Sequence, residues 1–117
     1  ASRAVEAARV FGAAEIVAEA NQGGDMVRAM LASAGAACAI TLVHASKAKR
    51  VRAEPVAALY EQGRVTHCGD FPRLEEELMA LGAAEEAGSF DRADALIWAL
   101  TALMIDARRR EPRVTAL

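Results

Sequence analysis

Aromatic residues are scarce, at 4% of the 117 positions. A core built around large rings is therefore excluded. Ala, Leu, Val, Ile and Met must fill it, packed closely on helices. Cysteine is nearly absent: Cys38 and Cys68 sit in separate apolar runs, with no CxxC and no histidine at ligand spacing. That excludes a disulfide scaffold and a structural zinc site. The reading expects two reduced, buried thiols in a cytosolic protein. No apolar run approaches the ~20 residues of a membrane span. The opening Ala1-Ser2-Arg3-Ala4-Val5-Glu6 is amphipathic rather than an apolar leader, and with no initiating Met the chain reads as part of a longer polypeptide. The P-loop, HExxH and GxSxG patterns are missing, and Gly23-Gly24 is no GxGxxG fingerprint. His44 and His67 are isolated, which suits structural histidines better than ligands.

What is present is a globular composition, 54% apolar and 26% charged, in a length that allows one domain. Net charge is −2 and excludes little. Its distribution says more. Lys47, Lys49, Arg50 and Arg52 cluster at a helix start, as Arg108-Arg109-Arg110 do near the end. Cations at a helix start are unfavourable on dipole grounds. Phosphate contact would offset that; a solvated basic face is the plainer alternative.

Helical and strand-like patterns alternate. A first helix is expected to end at Gly12. Residues 14–19 and 38–43 read as buried strands, and 64–68 as a third. Between them, Asp25 is expected to cap a helix whose apolar face is Met26, Val27, Met30 and Leu31. A helix over about 47–62 must kink or restart at Pro55. Pro72 opens a helix with Leu74, Leu78 and Leu81 on one side. Gly82 to Ser89 reads as a loop. The last helix, about 91–107, carries Ala93, Ile97, Leu100 and Met104 as its buried stripe. The alternation predicts an α/β fold with at least partly parallel strands.

Two acidic signals stand out. Glu19 ends the first strand, just before the Gly23-Gly24 turn, where sites of open α/β sheets form. Asp91 and Asp94 share a face of the last helix. Carboxylates on a strand end and on a helix are how two-metal phosphodiester chemistry is built. The plainer alternative makes Glu19 a solvated strand end and Asp91 an N-cap. It fits Asp94 less well, because Asp94 sits beside the buried stripe. Trp98, one turn further, reads as core or interface rather than as a base-stacking platform.

Four phrases carry a resemblance. They are Val17-Ala18-Glu19-Ala20-Asn21-Gln22-Gly23-Gly24-Asp25-Met26-Val27, His44-Ala45-Ser46-Lys47-Ala48-Lys49-Arg50, residues 54–65 from Glu54-Pro55 to Arg64-Val65, and Asp91-Arg92-Ala93-Asp94-Ala95-Leu96-Ile97-Trp98-Ala99-Leu100. In order and spacing, over about residues 1–105, the chain resembles the C-terminal nuclease domain of the terminase large subunit of tailed phages. Prophage and gene-transfer-agent-like versions are the nearest in kind.

The resemblance implies an α/β, RNase H-like fold: a mixed sheet flanked by helices, with residues 1–117 as a single truncated domain lacking its first strands. It implies a metal-dependent endonuclease that cuts concatemeric viral DNA in the cytoplasm of a bacterial host. Glu19 and Asp94 would be catalytic metal ligands, Asp91 would assist, and the cofactor would be two Mg²⁺ or Mn²⁺ ions. One metal would activate water and the other stabilise the leaving 3′ oxygen. Lys47, Lys49, Arg50 and Arg52 would hold the backbone of double-stranded DNA without reading sequence. The implied partners are an ATPase domain of the same polypeptide, the portal and the small terminase subunit, with no membrane. Two departures stand against the pattern. The family's first-strand acid is absent, and Phe90 stands where relatives often have Pro. The first implies that this stretch alone binds metal weakly and cuts poorly. The rival is a non-catalytic, degenerate RNase H-like module that docks to DNA, portal or small subunit. A third alternative is a plain α/β ligand-binding domain whose acids are caps.

Overall fold

The computed structural model describes residues 1–83 and 90–106. The chain divides into two compact units, Ala1–Ser46 and the residues from Lys47 onward.

The first unit runs α1 (Ser2–Val10), β1 (Glu15–Glu19), α2 (Gly24–Ser33) and β2 (Ala39–Val43). The strands pair in parallel, Glu15 against Ala39 through Glu19 against Val43. Parallel neighbours need a crossover, and α2 supplies it. Gly23, at φ 74°, makes the turn into α2. Gly24 allows a close approach: a Cβ there would sit 3.0 Å from Leu42 Cδ1. Leu31 and Ala20 are the buried residues of this unit. Across the ladder, the Thr41 hydroxyl donates to the Glu15 carboxylate, and Arg28 Nη1 donates to the Ile40 carbonyl at 3.0 Å.

Two expectations for α2 need correction. Its N-cap is Gly23, with no side-chain cap, and Asp25 lies in the first turn. There the carboxylate serves the helix dipole rather than an orphan amide. Of the expected stripe, Leu31 is buried and Val27 half-buried, but Met26 and Met30 are exposed. Two strands are too narrow to cover the whole helix face.

The second unit runs α3 (Lys49–Glu61), α4 (Pro72–Gly82), α5 (Asp91–Leu100) and a π-helical segment, Thr101–Asp106. Val56, Leu81, Phe90, Ala93, Ile97 and Leu100 form its core. Ala93, fully buried, lets helices close on α5 without a large side chain between them. The expected stripe of α5 is therefore correct, with Met104 packed at its edge. Pro72 occupies the first turn of α4, where its missing N–H is no loss. α3 runs unbroken through Pro55. Pro55 has no N–H to donate to the carbonyl of Val51, a residue on the exposed side of the helix.

The third strand does not form: residues 64–67 are in no regular element. A strand needs a neighbour for its ladder, and here side chains hold the segment instead. Tyr60 Oη and His67 Nε2 share a hydrogen bond of 2.7 Å, and His67 stacks edge-on against Tyr60 and Phe71. Cys68 is consequently exposed rather than buried, while Cys38 is half-buried; both are free thiols. Residues 84–89 and the Arg108–Arg110 tail lie outside the described residues. Among those described, no helix is long and apolar enough to cross a membrane.

Candidate functional site

Glu19 is the last residue of β1 and is exposed. It stands at the carboxyl end of the parallel pair, beside buried Ala20, whose amide donates to the Val43 carbonyl at 2.9 Å. The Gly23-Gly24 turn follows. This is the position the sequence reading expects for Glu19.

In the second unit, Asp91 and Asp94 both lie in the first turn of α5. Asp91 is not the N-cap; Phe90 is, and its side chain makes no cap hydrogen bond. The orphan amides are served from another helix. Glu77 Oε2, on α4, accepts from the amides of Arg92 at 2.8 Å and Ala93 at 2.9 Å. Glu77 Oε1 pairs with the Arg92 guanidinium at 2.9 Å. The Ala93 amide is the largest cause that holds the Glu77 carboxyl below its ordinary value of 4.5, with Arg92 adding to it against the opposing effect of desolvation. No local spacing in the sequence marks Glu77 for this role.

Asp94 is mostly buried, its side chain 16% exposed, and it faces two cations of α3. Lys49 Nζ lies 2.9 Å from Oδ2. Arg52 Nη2 lies 3.8 Å from Oδ1, an ion-pair distance without a hydrogen bond. Asp94 Oδ1 and Arg52 Nη1 are both buried with no hydrogen-bond partner. The bond to Asp94 raises the Lys49 ammonium above its ordinary 10.5. Arg52 is further held by its neighbours: its guanidinium lies 4.6 Å from the centre of the Trp98 ring, and its Nε donates to the Lys47 carbonyl at 3.3 Å. Trp98 is thus the stacking partner of an arginine. Lys49 also lies over Phe90, 5.8 Å from the ring centre.

The four cations expected to act alike therefore divide. Lys49 and Arg52 turn to Asp94. Arg50 reaches the Gly82 carbonyl at 3.5 Å, and Lys47 is exposed. The basic cluster and the acidic helix were separate signals in the sequence, and α3 against α5 joins three of their residues into one site. Glu19 belongs to the other unit.

The fit to a divalent cation is poor in this arrangement. Mg²⁺ and Mn²⁺ take several hard oxygen donors. Here one carboxylate meets two positive side chains. Among the described residues, no group of three or more His, Cys, Asp or Glu is placed to hold a metal.

Compared with known families, the chain matches the model of the terminase RNaseH-like domain over residues 1–103. No curated protein and no solved structure matches it. The match runs across both units and ends within the π-helical segment, three residues before Asp106, including Glu19 and the whole of the Lys49–Arg52–Asp94 cluster. The chain belongs to the terminase RNaseH-like domain family.

Proposed function

We propose that this chain is the nuclease module of a terminase large subunit, a metal-dependent endonuclease that cuts concatemeric viral DNA as a genome is packaged. The observation that carries the reading is the family match over residues 1–103, with Glu19 at a strand end and Asp94 on the last helix inside it. Residues 1–117 are then one truncated domain of a larger RNase H-like mixed sheet. Glu19 and Asp94 are the metal ligands, Asp91 assists, and the ion is Mg²⁺ or Mn²⁺. Exposed Lys47 and Arg50, with Lys49 and Arg52, supply phosphate contacts to double-stranded DNA. The ATPase domain of the same polypeptide, the portal and the small subunit are the partners, in the cytoplasm of the bacterial host.

Mn²⁺ titration of the chain and of Asp94→Asn, followed by calorimetry, tests the assignment, with supercoiled plasmid incubated in parallel. The variant is expected to lose Mn²⁺ binding at least tenfold while keeping its circular dichroism spectrum. Equal binding by both proteins would remove Asp94 from the metal site. One observation favours the rival reading of a non-catalytic docking module: the Asp94 carboxylate is already balanced by Lys49 and Arg52. DNA binding with neither nicking nor metal binding, even with the upstream strands restored, would select that module.

A further inference from the structure

We infer that Arg52 is a positioning residue for the phosphate contact of the basic cluster: it touches no phosphate itself and instead holds the Lys47 backbone in place, so that the Lys47 side chain meets DNA from a fixed turn. The inference rests on the reading of Lys47, Lys49, Arg50 and Arg52 as the DNA contact, and it changes the part that Arg52 plays there.

The entry to α3 is poorly secured by its own sequence. The N-cap is Ala48, which makes no side-chain cap hydrogen bond, and no acid lies in the first turn. Lys47 comes just before that cap, and Lys49, Arg50 and Arg52 crowd a helix end whose dipole disfavours cations. A lysine on a loose turn must give up backbone freedom when it meets a phosphate, and that cost weakens binding. Arg52 supplies the missing restraint. Its Nε donates to the Lys47 carbonyl at 3.3 Å, five residues back along the chain.

Arg52 can do this because α5 anchors it. The guanidinium lies 4.6 Å from the centre of the Trp98 ring, and Nη2 lies 3.8 Å from Asp94 Oδ1. One planar group thus serves three neighbours: the ring, the carboxylate and the Lys47 carbonyl. A lysine ammonium keeps the charge but lacks the flat fork that lets all three be met at once. The same anchoring keeps Arg52 from DNA. Its side chain is only 10% exposed, and Nη1 is buried. Swinging out to a phosphate would uncover Trp98 and take a cation from a mostly buried carboxylate, which is costly. Lys47 and Arg50 are exposed and carry no such cost.

The test is fluorescence anisotropy of a labelled mixed-sequence DNA duplex, titrated with the chain at several salt concentrations. The proteins are wild type, Lys47→Met, Arg50→Met, Arg52→Lys, Arg52→Met, and Lys47→Met combined with Arg52→Met, with folding checked by circular dichroism. Lys47→Met is expected to bind about fivefold more weakly, the size of one exposed charge contact, with a salt slope shallower by about 0.9. Arg52→Lys keeps the charge, yet it should lose about as much affinity as Lys47→Met, and so should Arg52→Met. The double variant should lose no more than either single change, because both act on one contact. If Arg52→Lys binds as wild type does, Arg52 supplies charge rather than geometry and the inference is overturned. If the losses multiply in the double variant, Arg52 acts apart from Lys47, with the same result. If wild type does not bind the duplex, or if Lys47→Met and Arg50→Met both keep its affinity and salt slope, the cluster is not the DNA contact, and the reading beneath the inference fails whatever Arg52 does.

Discussion

Among the described residues, Ile97 is the most enclosed large side chain, at 1% exposure, in the core of the second unit. Truncating it to Ala removes three carbons. At ~0.8 kcal/mol per buried carbon, the lost transfer energy is about 2.4 kcal/mol. A cavity penalty adds to that when the surroundings cannot relax, and isoleucine-to-alanine changes span roughly 2–5 kcal/mol. Ile97 also lines a groove of about 520 Å³ between α3 and α4. The space left behind opens toward that groove, where Leu78 and Met79 can shift or water can enter. The cavity penalty should therefore be small, and the expected loss is about 3 kcal/mol. Ile97→Val removes one carbon and should cost about 1 kcal/mol. Against a typical domain stability of ~5–15 kcal/mol, the alanine change is severe. Urea unfolding can be followed by fluorescence of Trp98, the chain's single tryptophan, which is in the same unit. The midpoint should fall in the order wild type, Val, Ala, with the slope unchanged. A loss below about 1 kcal/mol for Ile97→Ala, or an equal loss for Val and Ala, would refute this account of the core.

Glu77→Ala should lower the thermal midpoint by uncapping α5, because two amides and Arg92 lose their acceptor. The folded Glu77 carboxyl titrates below its ordinary 4.5, so its contribution is complete above that pH and is lost as the pH falls through the lower folded value. The gap between wild type and Glu77→Ala, read by calorimetry, should narrow on acidification; a gap that widens toward low pH would contradict the cap. Tyr60→Phe removes the 2.7 Å bond to His67. It should cost about 1 kcal/mol in urea unfolding; no loss at all would mean that packing alone holds residues 64–67.

Some of the molecule was legible in the residues themselves. The runs at 15–19 and 39–43 are centred on β-branched residues, Ile16-Val17 and Ile40-Thr41, and they pair in parallel as expected. Pro72 starts α4, and Gly12, Gly35 and Gly63, all at positive φ, follow helix ends. Ala93, Ile97 and Leu100 repeat at helical spacing and are buried. These are signals that a residue and its near neighbours carry within one turn or one pleat. The ordered phrases around Glu19 and Asp94 carried the family in the same way.

Other features depended on what each segment met in space. Residues 64–68 have strand composition but form no strand; the Tyr60–His67 hydrogen bond helps to hold them instead. Met26 and Met30 have helical spacing, but a two-stranded sheet cannot reach them. Asp25 and Asp91 have capping chemistry, yet Gly23 and Phe90 occupy the cap positions and Glu77 serves α5 from α4. Most consequential is Asp94. By itself the sequence determined an acid on a buried helix and a basic cluster on another. Only the packing of α3 against α5 decided that Lys49 and Arg52 face that acid, because an ion pair is set by the distance between charges, and no local pattern encodes that distance across more than forty residues of chain.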